Sequence, residues 1–421
     1  MAEVAGDLRG ELIDQICDWY WQLGMSLPRE VDAAMRTVPR HLFTPGIPLQ
    51  RAYSLDSVIT KKDAGGVAVS AVSAPAVVAM MLDQLQVLPG QRILEIGSGG
   101  YNAALLRELT GRDGSVISVD IDQETADRAG ACLAAAGYND VRVLCADGEF
   151  GAAEYGPFDR IIVTVSAWDI PPAWTGQLAP GGRLVVPLRL RGLSRSWAFE
   201  HADGYLASRA HGMCGFVPMK GAGEHEARPV RLHGDDVSLF RDQPDPSGAG
   251  ALSGVLAGPR EEAWSGVMVG KKEPFDNQDL WLAAALPDFA VLTARQEAMD
   301  SGLVSPSWLM ATPALTDGSS LAYRARLRPA NPERTRFEFG AYGHGPQAAR
   351  AAGRLAEQIQ IWDRDYRHGP GPSLTVHPAG TPDAALPDGR VADKRHTRMV
   401  LSWPEPAKVA PAPEKEGTEP R

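Results

Sequence analysis

The chain has 421 residues, which is too long for one ordinary domain and predicts two folded units. Apolar residues make up 44% of it, enough to fill real cores, so a globally disordered protein is excluded. The formal net charge of −10 argues against a general nucleic-acid binder, which would carry a basic patch or stripe. The sequence shows no apolar run of membrane-spanning length and no signal-peptide pattern, so we expect a soluble, cytoplasmic protein with no membrane or nucleic-acid partner.

The cysteines are scattered along the chain, at Cys17, Cys132, Cys145 and Cys214. They form no paired spacing with one another or with the nine histidines, so neither a disulfide framework nor a structural metal site is expected. Thiols of this kind usually behave as small buried hydrophobic side chains.

The N-terminal part, residues 1–75, is predicted to be a helical region followed by a substrate loop. Apolar residues between Leu12 and Tyr20 recur at helical spacing, and a second short apolar stripe ends at Pro39. Residues 46–72 are rich in Gly, Val and Ser and are predicted to be a loop or short strands.

Strand and helix signals alternate from Pro75 onwards. Short connectors between alternating strands and helices imply right-handed crossovers and a parallel sheet covered on both faces. The predicted fold class is therefore α/β, a doubly wound, Rossmann-like domain over residues 76–228. The predicted helices are 75–88, 101–110 and 124–136, and the predicted strands are 92–96, 115–120, 141–145, 160–165 and 183–187.

The pattern changes after residue 228, where a separate α+β domain over residues 229–403 is predicted to recognise peptide. Its predicted strands are 264–269, 289–293, 321–327 and 335–341, and its predicted helices are 277–286 and 347–366. The last segment, residues 404–421, is rich in Pro, Glu and Lys and is predicted to be disordered.

The turn from Glu95 to Tyr101 indicates a cofactor site. A buried strand runs into Gly97-Ser98-Gly99-Gly100 and opens a helix, and glycine is favoured there because a Cβ would keep the backbone away from a cofactor. Asp120 ends the next strand, where a carboxylate can bind both ribose hydroxyls. Asp147-Gly148 follows the third strand, where a carboxylate can meet an adenine amino group. A tight turn without a ligand is the alternative, but these carboxylates favour a nucleotide-type cofactor.

Two cofactors of that type are candidates. A dinucleotide fingerprint would contain G-x-G-x-x-G, with the pyrophosphate on the helix N-terminus. The turn here has the sequence G-S-G-G after Glu95-Ile96, which fits S-adenosylmethionine better.

Short motifs follow one another in a fixed order over roughly residues 10–222. They are Ala34–Phe43, Tyr53, Ser73–Pro75, Leu88–Gly90, Glu95–Tyr101, Asp147–Gly148, Phe158–Thr164, Pro180–Leu184 and Phe216–Met219. Together they resemble the protein-L-isoaspartate (D-aspartate) O-methyltransferase family. The resemblance implies an enzyme that transfers a methyl group from S-adenosylmethionine to an aspartyl or isoaspartyl carboxylate.

Two features depart from the repair enzymes of that family. The glycine turn is one residue shorter than their usual G-T-G-S-G-Y, and the loop Lys61–Ser70 is longer and differently composed. With Trp168–Pro172 and the long C-terminal region, these features resemble a subgroup associated with lanthipeptide and other ribosomal-peptide biosynthesis. The resemblance implies methylation of an aspartate in a precursor peptide, linear or already cyclised, which leads through a succinimide to an imide or isoaspartate.

The resemblance also assigns roles to individual residues. Ser73 is implied to be catalytic and to orient the acceptor carboxylate, and Val72, Ala74 and Trp168 are implied to contact the peptide. No metal is expected, because a carboxylate is already an adequate nucleophile at neutral pH. The residues implied to bind the cofactor are Glu95, Ile96, Gly97, Ser98, Gly99, Gly100, Tyr101, Asn102, Asp120, Ile121, Asp147, Gly148 and Thr164.

Several of these residues have a structural alternative. Ser73 precedes a predicted helix and could be its N-cap. Trp168 and Trp174 could be core or lid residues instead of walls of a peptide groove. The basic run Lys394–Arg398 could contact an acidic leader peptide, although a solvated surface is the simpler interpretation, as it is for Lys61-Lys62.

Four functions are compatible with these patterns. The first is methylation of a dedicated precursor peptide, and the second is general repair of isoaspartyl proteins, which needs a shallow site and no extra domain. The third is a cofactor-binding scaffold without catalysis, which the intact glycine turn, Asp120, Asp147 and Ser73 disfavour. The fourth is methylation of small molecules or nucleic acids, for which the N-P-P-Y motif of base methylation is lacking. The extra domain favours the first.

Overall fold

The structure is a computed structural model that describes residues 2–226, 229–241 and 248–405, so nearly all of the predicted disordered tail, residues 404–421, lies outside the described residues. The helices are α1 (Ala2–Gln22), α2 (Arg29–Thr37), α3 (Leu49–Ala52), α4 (Pro75–Leu85), α5 (Tyr101–Thr110), α6 (Gln123–Ala135), α7 (Pro172–Gln177), α8 (Gly248–Ala251), α9 (Asp276–Ala285), α10 (Gln296–Asp300) and α11 (Ala348–Asp365). The first strands are β1 (Val58–Lys62), β2 (Ala68–Val72), β3 (Arg92–Ile96), β4 (Ser115–Asp120), β5 (Arg142–Cys145), β6 (Phe158–Val163), β7 (Leu178–Leu190), β8 (Leu193–Ala202) and β9 (Tyr205–Met213). The later strands are β10 (Val230–His233), β11 (Val237–Phe240), β12 (Glu261–Gly270), β13 (Phe289–Ala294), β14 (Thr312–Asp317), β15 (Ser320–Arg324), β16 (Arg328–Pro329), β17 (Arg336–His344), β18 (Ser373–Pro378), β19 (Arg390–Asp393) and β20 (Thr397–Ser402).

The N-terminal helices form a layer with α4 and α5. In α1 the side chains of Leu12, Ile13, Ile16 and Tyr20 are all buried in this layer, as their helical spacing predicts. Residues 46–72, predicted to be a loop or short strands, form α3 and the antiparallel hairpin β1–β2. Because the hairpin pairs with no further strand in the described part of the chain, its position is set by side-chain contacts.

The centre of the first sheet is parallel, in the order β7-β6-β3-β4-β5. The chain runs from β3 through α5 to β4 on one side, while β6 lies on the other side of β3. In such sheets ligands bind at the carboxyl ends of the strands, where the order reverses. The predicted doubly wound α/β fold is confirmed, and β3, α5 and β4 begin and end at the predicted residues.

The complete first sheet is mixed, because β8 and β9 continue it as antiparallel strands after β7. Neither strand was predicted from the sequence. In β8 five consecutive residues are buried, from Arg195 to Phe199, so the strand lacks the alternation of apolar and polar residues that marks a half-buried strand. In β9 small and polar residues such as Ala, Ser, Gly and His dominate, and several of these have low strand propensity.

Three C-terminal strands complete the same sheet. β18 pairs with β9, and β20 and β19 follow outwards, so the described strands have the order β19-β20-β18-β9-β8-β7-β6-β3-β4-β5. The structure therefore differs from the predicted separate domain over residues 229–403, since residues 373–402 belong to the sheet of the first domain. Consecutive strands usually pair with one another, and a strand that returns to a distant partner leaves no local sequence signal.

The second sheet is antiparallel, in the order β10-β11-β13-β14-β15-β17-β12, with β16 attached to β17. Helix α11 packs on it through Leu355, Ile359 and Trp362, the face predicted from their spacing. The predicted strands of this region correspond to β12, β13, β15 and β17, and its predicted helices correspond to α9 and α11. β10, β11 and β14 were not predicted.

The two sheets share one continuous cluster of buried side chains and a buried group of charges. Asp279 of α9 accepts a hydrogen bond from Arg195 of β8 (3.2 Å) and another from Arg324 of β15 (2.7 Å). The side chains of all three residues are at most 6% exposed. One carboxylate therefore lies between two guanidinium groups, one from each sheet, and links the two halves of the chain.

We expect Asp279→Asn to lower the free energy of unfolding by about 3–5 kcal/mol, because two buried guanidinium groups lose their shared counter-charge. Equilibrium urea denaturation followed by tryptophan fluorescence measures the change. The control is Asp365→Asn, which removes a pair with the 71% exposed Arg364 and should change stability little. Equally small effects of the two substitutions would contradict the proposed role of Asp279.

Candidate functional site

The turn after β3 has a backbone that favours glycine at two positions. Gly97 has a φ of +90°, and a Cβ there would lie 2.7 Å from Thr164 Oγ1. Gly100 has a φ of +78°, and its Cβ would lie 3.0 Å from the Phe43 ring. Thr164 Oγ1 donates to Gly97 O (2.7 Å), and Gly97 N donates to Val119 O (2.8 Å). The turn is thus fixed between the carboxyl ends of β6 and β4.

Asp120, the last residue of β4, holds the turn through its carboxylate. Its Oδ2 accepts from Ser98 N and its Oδ1 accepts from Asp122 N, both at 2.9 Å. Burial raises the pKa of Asp120 above its usual range, and the two backbone donors oppose that shift. The carboxylate lines a cavity of about 290 Å³ at the carboxyl edge of the sheet.

This cavity, called here the cofactor cavity, has the character that the adenosyl part of S-adenosylmethionine requires. It combines the Asp120 carboxylate with apolar walls, and a Cβ on Gly148 would lie 2.6 Å from Ile96 Cγ2. The residues around it are Lys61, Val69, Ile96, Gly97, Val119, Asp120, Ile121, Asp122, Thr125, Gly148, Val165, Pro218, Met219 and Lys220. The predicted ribose contact of Asp120 agrees with its position and stays a prediction.

The carboxylate of Asp147, which was predicted to contact adenine, bonds to two backbone amides of the protein. Its Oδ1 accepts from Glu149 N (3.0 Å) and its Oδ2 accepts from Ala222 N (2.8 Å). Gly148 lines the cofactor cavity, whereas Asp147 is not among the residues around it. In this arrangement the carboxylate of Asp147 holds the 221–224 turn beside the cavity. The contact with adenine therefore stays a prediction.

Glu95 lies beneath the turn and has no exposed surface. Asn102 Nδ2 donates to Glu95 Oε1 (2.9 Å), and Ser118 Oγ donates to Glu95 Oε2. Burial raises the pKa of Glu95 to about 7, although both hydrogen bonds act in the opposite direction. Glu95, Tyr101 and Asn102, which were predicted to bind the cofactor, line a second, smaller cavity, and their contact with the cofactor stays a prediction.

The smaller cavity, called here the acceptor cavity, has a volume of about 30 Å³ and contains Ser73 in its wall. The structural alternative for Ser73 is wrong, because α4 begins after Ala74 and no side chain caps it. Val72 and Ala74 were predicted to contact the peptide, but their carbonyl oxygens already accept hydrogen bonds within the chain. Val72 O accepts from Arg40, and Ala74 O accepts from backbone amides in the first turn of α4. The residues around the acceptor cavity are Ala71, Val72, Ser73, Val78, Met81, Glu95, Gly99, Tyr101, Asn102, Ile162, Thr164 and Phe216.

Arg40 was not singled out from the sequence, yet it fixes the segment that carries Ser73. Its Nη2 donates to Ser73 O (2.8 Å) and Val72 O (3.3 Å), and its Nε donates to Ala52 O (2.9 Å). The side chain is fully buried beside the ring of Tyr101, 4.9 Å from the ring centroid. The only sequence signal was an arginine next to Pro39 in a motif whose apolar residues Met35, Val38 and Phe43 form core.

Lys62 is exposed, as interpreted from the sequence, whereas Lys61 is only partly exposed and pairs with carboxylates. Its Nζ donates to both carboxylate oxygens of Asp122 (2.8 Å each) and forms an ion pair with Glu124 (2.7 Å). The hydrogen bond from Lys61 lowers the pKa of Asp122 to about 2. Because Lys61 also lines the cofactor cavity, the hairpin β1–β2 is attached across that cavity to the start of α6.

Trp168 lines neither of these cavities. Its ring stacks on His225 with centroids 4.0 Å apart, and Lys394 Nζ lies 4.5 Å from its centroid. The solvated surface predicted at Lys394–Arg398 is found only in part. Lys394 and Thr397 are buried, whereas Arg395 is 50% exposed and pairs with Glu149. Trp168 therefore packs between His225 and Lys394, and its predicted peptide contact stays a prediction.

Two further features concern the described residues only. Within them, no group of three or more His, Cys, Asp and Glu side chains is arranged to hold a metal ion. No helix among them is both long and apolar enough to cross a membrane.

Comparison with known proteins identifies similar sequences. The family model described as "Protein-L-isoaspartate(D-aspartate) O-methyltransferase (PCMT)" matches residues 14–224, half of the chain. The protein-L-isoaspartate O-methyltransferase of Methanopyrus kandleri is 41% identical over 202 residues, which cover 47% of this chain and 87% of that protein. Protein-L-isoaspartate O-methyltransferase 2 of Archaeoglobus fulgidus is 39% identical over 211 residues, covering 49% and 91%. A solved structure described as a protein-L-isoaspartate O-methyltransferase aligns with 87% of this chain and 96% of its own, with 20% identity and a TM-score of 0.48.

We expect Gly97→Ala to weaken the binding of S-adenosylhomocysteine, measured by calorimetry, by about tenfold or more, because the Cβ is strained and contacts Thr164. The matched control is Gly111→Ala, which also introduces a Cβ at a positive φ but into open space at the other end of α5. Equal affinities of the two variants would contradict the proposed place of Gly97 in the cofactor site.

The raised pKa of Glu95 predicts a pH dependence of stability. An acid with a folded-state pKa of about 7 and an unfolded-state value of 4.5 destabilises the fold progressively as pH rises between these values. Between pH 5.5 and pH 8 the wild type should therefore lose roughly 2 kcal/mol relative to Glu95→Gln, at about 1.4 kcal/mol per pKa unit. Urea denaturation of both proteins at the two pH values measures this difference. Parallel stability changes in the two proteins would exclude Glu95 as the titrating group.

Proposed function

The chain belongs to the protein-L-isoaspartate(D-aspartate) O-methyltransferase family, and on that premise we propose that it methylates the free carboxylate of isoaspartyl residues in peptides and proteins. Membership of this family confirms the predicted enzyme class, an aspartate carboxyl O-methyltransferase, and the predicted cofactor, S-adenosylmethionine. The similar proteins named above are all described as protein-L-isoaspartate O-methyltransferases, which favours an isoaspartyl acceptor.

The observation that carries the proposal is the position of Ser73. Ser73 lies in the wall of the acceptor cavity, and its hydroxyl does not cap α4. The same wall contains Gly99 and Thr164, which belong to the segments that also shape the cofactor cavity. The acceptor cavity is small, with a volume of about 30 Å³, and it places Ser73 beside Gly99 and Thr164. This arrangement supports an acceptor group that reaches Ser73 next to the cofactor.

The chemistry asks little of the side chains beyond orientation. The acceptor carboxylate is ionised at neutral pH and is itself the nucleophile, so no general base is required. S-adenosylmethionine, when bound, supplies an electrophilic methyl group. We infer that the Ser73 hydroxyl donates a hydrogen bond to the acceptor carboxylate and points one of its oxygens at that methyl group. Arg40 keeps Ser73 in place through the Ser73 carbonyl, and Glu95 holds Asn102 at the cavity wall.

A dedicated peptide substrate is the second candidate. The family model matches the chain only as far as Glu224. The two relatives named above are covered over 87% and 91% of their own length, but they align with only about half of this chain. The remaining half builds the second sheet and the outer strands of the first, which supports a task beyond the common repair reaction. In that task a precursor-peptide aspartate would be methylated, and the next backbone nitrogen would displace methanol to give a succinimide.

The proposed function is tested with matched isoaspartyl and aspartyl peptides, linear and cyclised, and mass spectrometry. We expect methylation of the isoaspartyl peptide, and we expect Ser73→Ala to lower kcat/KM by about 10- to 100-fold, as for loss of a hydrogen bond to a charged group. Affinity for S-adenosylhomocysteine should stay unchanged in that variant. The control is Ser54→Ala, which removes a hydroxyl outside both cavities.

The competing outcome has a distinct mass signature. A methyl gain on an aspartyl peptide alone, followed by loss of methanol, would contradict the isoaspartyl proposal and support the dedicated substrate. No methylation of either peptide would contradict both candidates.

A further inference from the structure

The turn that joins β19 to β20 lies against the loops around the cofactor cavity. This turn, residues Lys394–His396, together with Thr397 at the start of β20, is called here the C-terminal turn. It forms hydrogen bonds with Glu149, Asp169 and Ala222, which belong to three separate segments of the methyltransferase half. The family model ends at Glu224, so the C-terminal turn lies outside the part of the chain that it matches.

Arg395 connects two of the loops with one nitrogen. Its Nη2 donates to Glu149 Oε1 (2.8 Å) and to Ala222 O (2.9 Å). Glu149 follows Gly148, which lines the cofactor cavity, and Ala222 N donates to Asp147. The carboxylate of Glu149 is mostly buried, with 9% of the side chain exposed. The guanidinium group of Arg395 therefore adds a second link between the loop after β5 and the loop after β9, beside the hydrogen bond from Ala222 N to Asp147. His396 Nε2 also lies 3.1 Å from Glu149 Oε1.

Asp169 fixes the third segment. Its Oδ2 accepts from His396 N and its Oδ1 accepts from Thr397 Oγ1, both at 2.6 Å. Asp169 is buried and stands a few residues after Val165, which lines the cofactor cavity. Between these residues Ser166 bonds to the backbone of Val217 and Met219. Fixing Asp169 thus also limits the movement of Met219, another residue in the cavity wall.

These contacts converge on the loops that form one side of the cofactor cavity. Gly148, Val165, Met219 and Lys220 all lie on segments that the C-terminal turn holds, and their own side chains and backbone form the cavity wall. The turn itself does not reach the cavity. The turn would therefore act by holding the cavity wall in one arrangement before the cofactor binds. A wall that is already ordered lowers the entropic cost of cofactor binding.

We propose that Arg395 and Thr397 of the C-terminal turn, with Glu149 and Asp169 as their partners, are positioning residues for S-adenosylmethionine binding. The C-terminal strands then support the cofactor site from outside the cavity and are not only an attached substrate-recognition unit. This inference concerns the cofactor and is independent of which peptide the enzyme methylates.

The experiment measures the affinity of the full-length protein for S-adenosylhomocysteine by calorimetry, without peptide. We expect Arg395→Met and Asp169→Asn to weaken binding by about tenfold each, and Thr397→Val to weaken it by about three- to tenfold. Thr397→Ser keeps the hydroxyl and should bind within about twofold of the wild type. If a peptide substrate is available, the same variants should raise KM for S-adenosylmethionine by a larger factor than they lower kcat.

The matched control is Arg398→Gln on the same hairpin. Arg398 pairs with Asp383 and Asp393, away from the cavity loops, so its loss should leave the affinity unchanged. Affinities of Arg395→Met and Thr397→Val within about twofold of the wild type would overturn the inference, whatever their melting temperatures. If Asp169→Asn does not fold, the comparison of Thr397→Val with Thr397→Ser still decides the question. Because no peptide is present, failure of the proposed isoaspartyl activity would not affect this result.

Discussion

The pairing of β18 with β9 is the interaction on which the arrangement of the two halves depends. Thr375 and Val376 pair with Ala207 and Leu206, and Leu374 N donates to Ser208 Oγ (2.8 Å). After the chain has built the whole second sheet, these few bonds return it to the edge of the first. They place β20 and β19 beyond β18 and so bring the C-terminal turn to the cofactor loops. The buried charges around Asp279 hold the same two halves together from another side.

The electrostatics of the site follow from where each carboxylate lies. Glu95 has no exposed surface and a pKa of about 7, while Asp122 is held ionised by Lys61 with a pKa of about 2. For Asp120, which is half-buried, burial raises the pKa and the hydrogen bonds from two backbone amides oppose that shift. At neutral pH the protein thus keeps an ionised acid at the rim and one that is about half protonated beneath the glycine turn. This partial protonation of Glu95 reduces the repulsion that an anionic acceptor at Ser73 would meet.

The sequence was most informative where function depends on local backbone. The glycine turn, the end of β4 at Asp120 and the bounds of β3 and α5 all follow from short patterns, because a tight turn between a buried strand and a helix leaves few choices. Ser73 was found through the resemblance, not through spacing. The positions of Lys61, Arg40 and Arg395 could not be predicted, since each side chain meets partners that are distant in sequence.

The late arrival of β18 has a consequence for synthesis on the ribosome. Domains usually fold in order as the chain emerges, with the N-terminal one first. Here β9 stays an edge strand, with unpaired backbone donors and acceptors, until residue 378 has left the exit tunnel. Unpaired edges are the places where sheets join the wrong partner. The second sheet is therefore made while the first still has an open edge, and that edge is exposed to pairing with a wrong partner until the last strands are available.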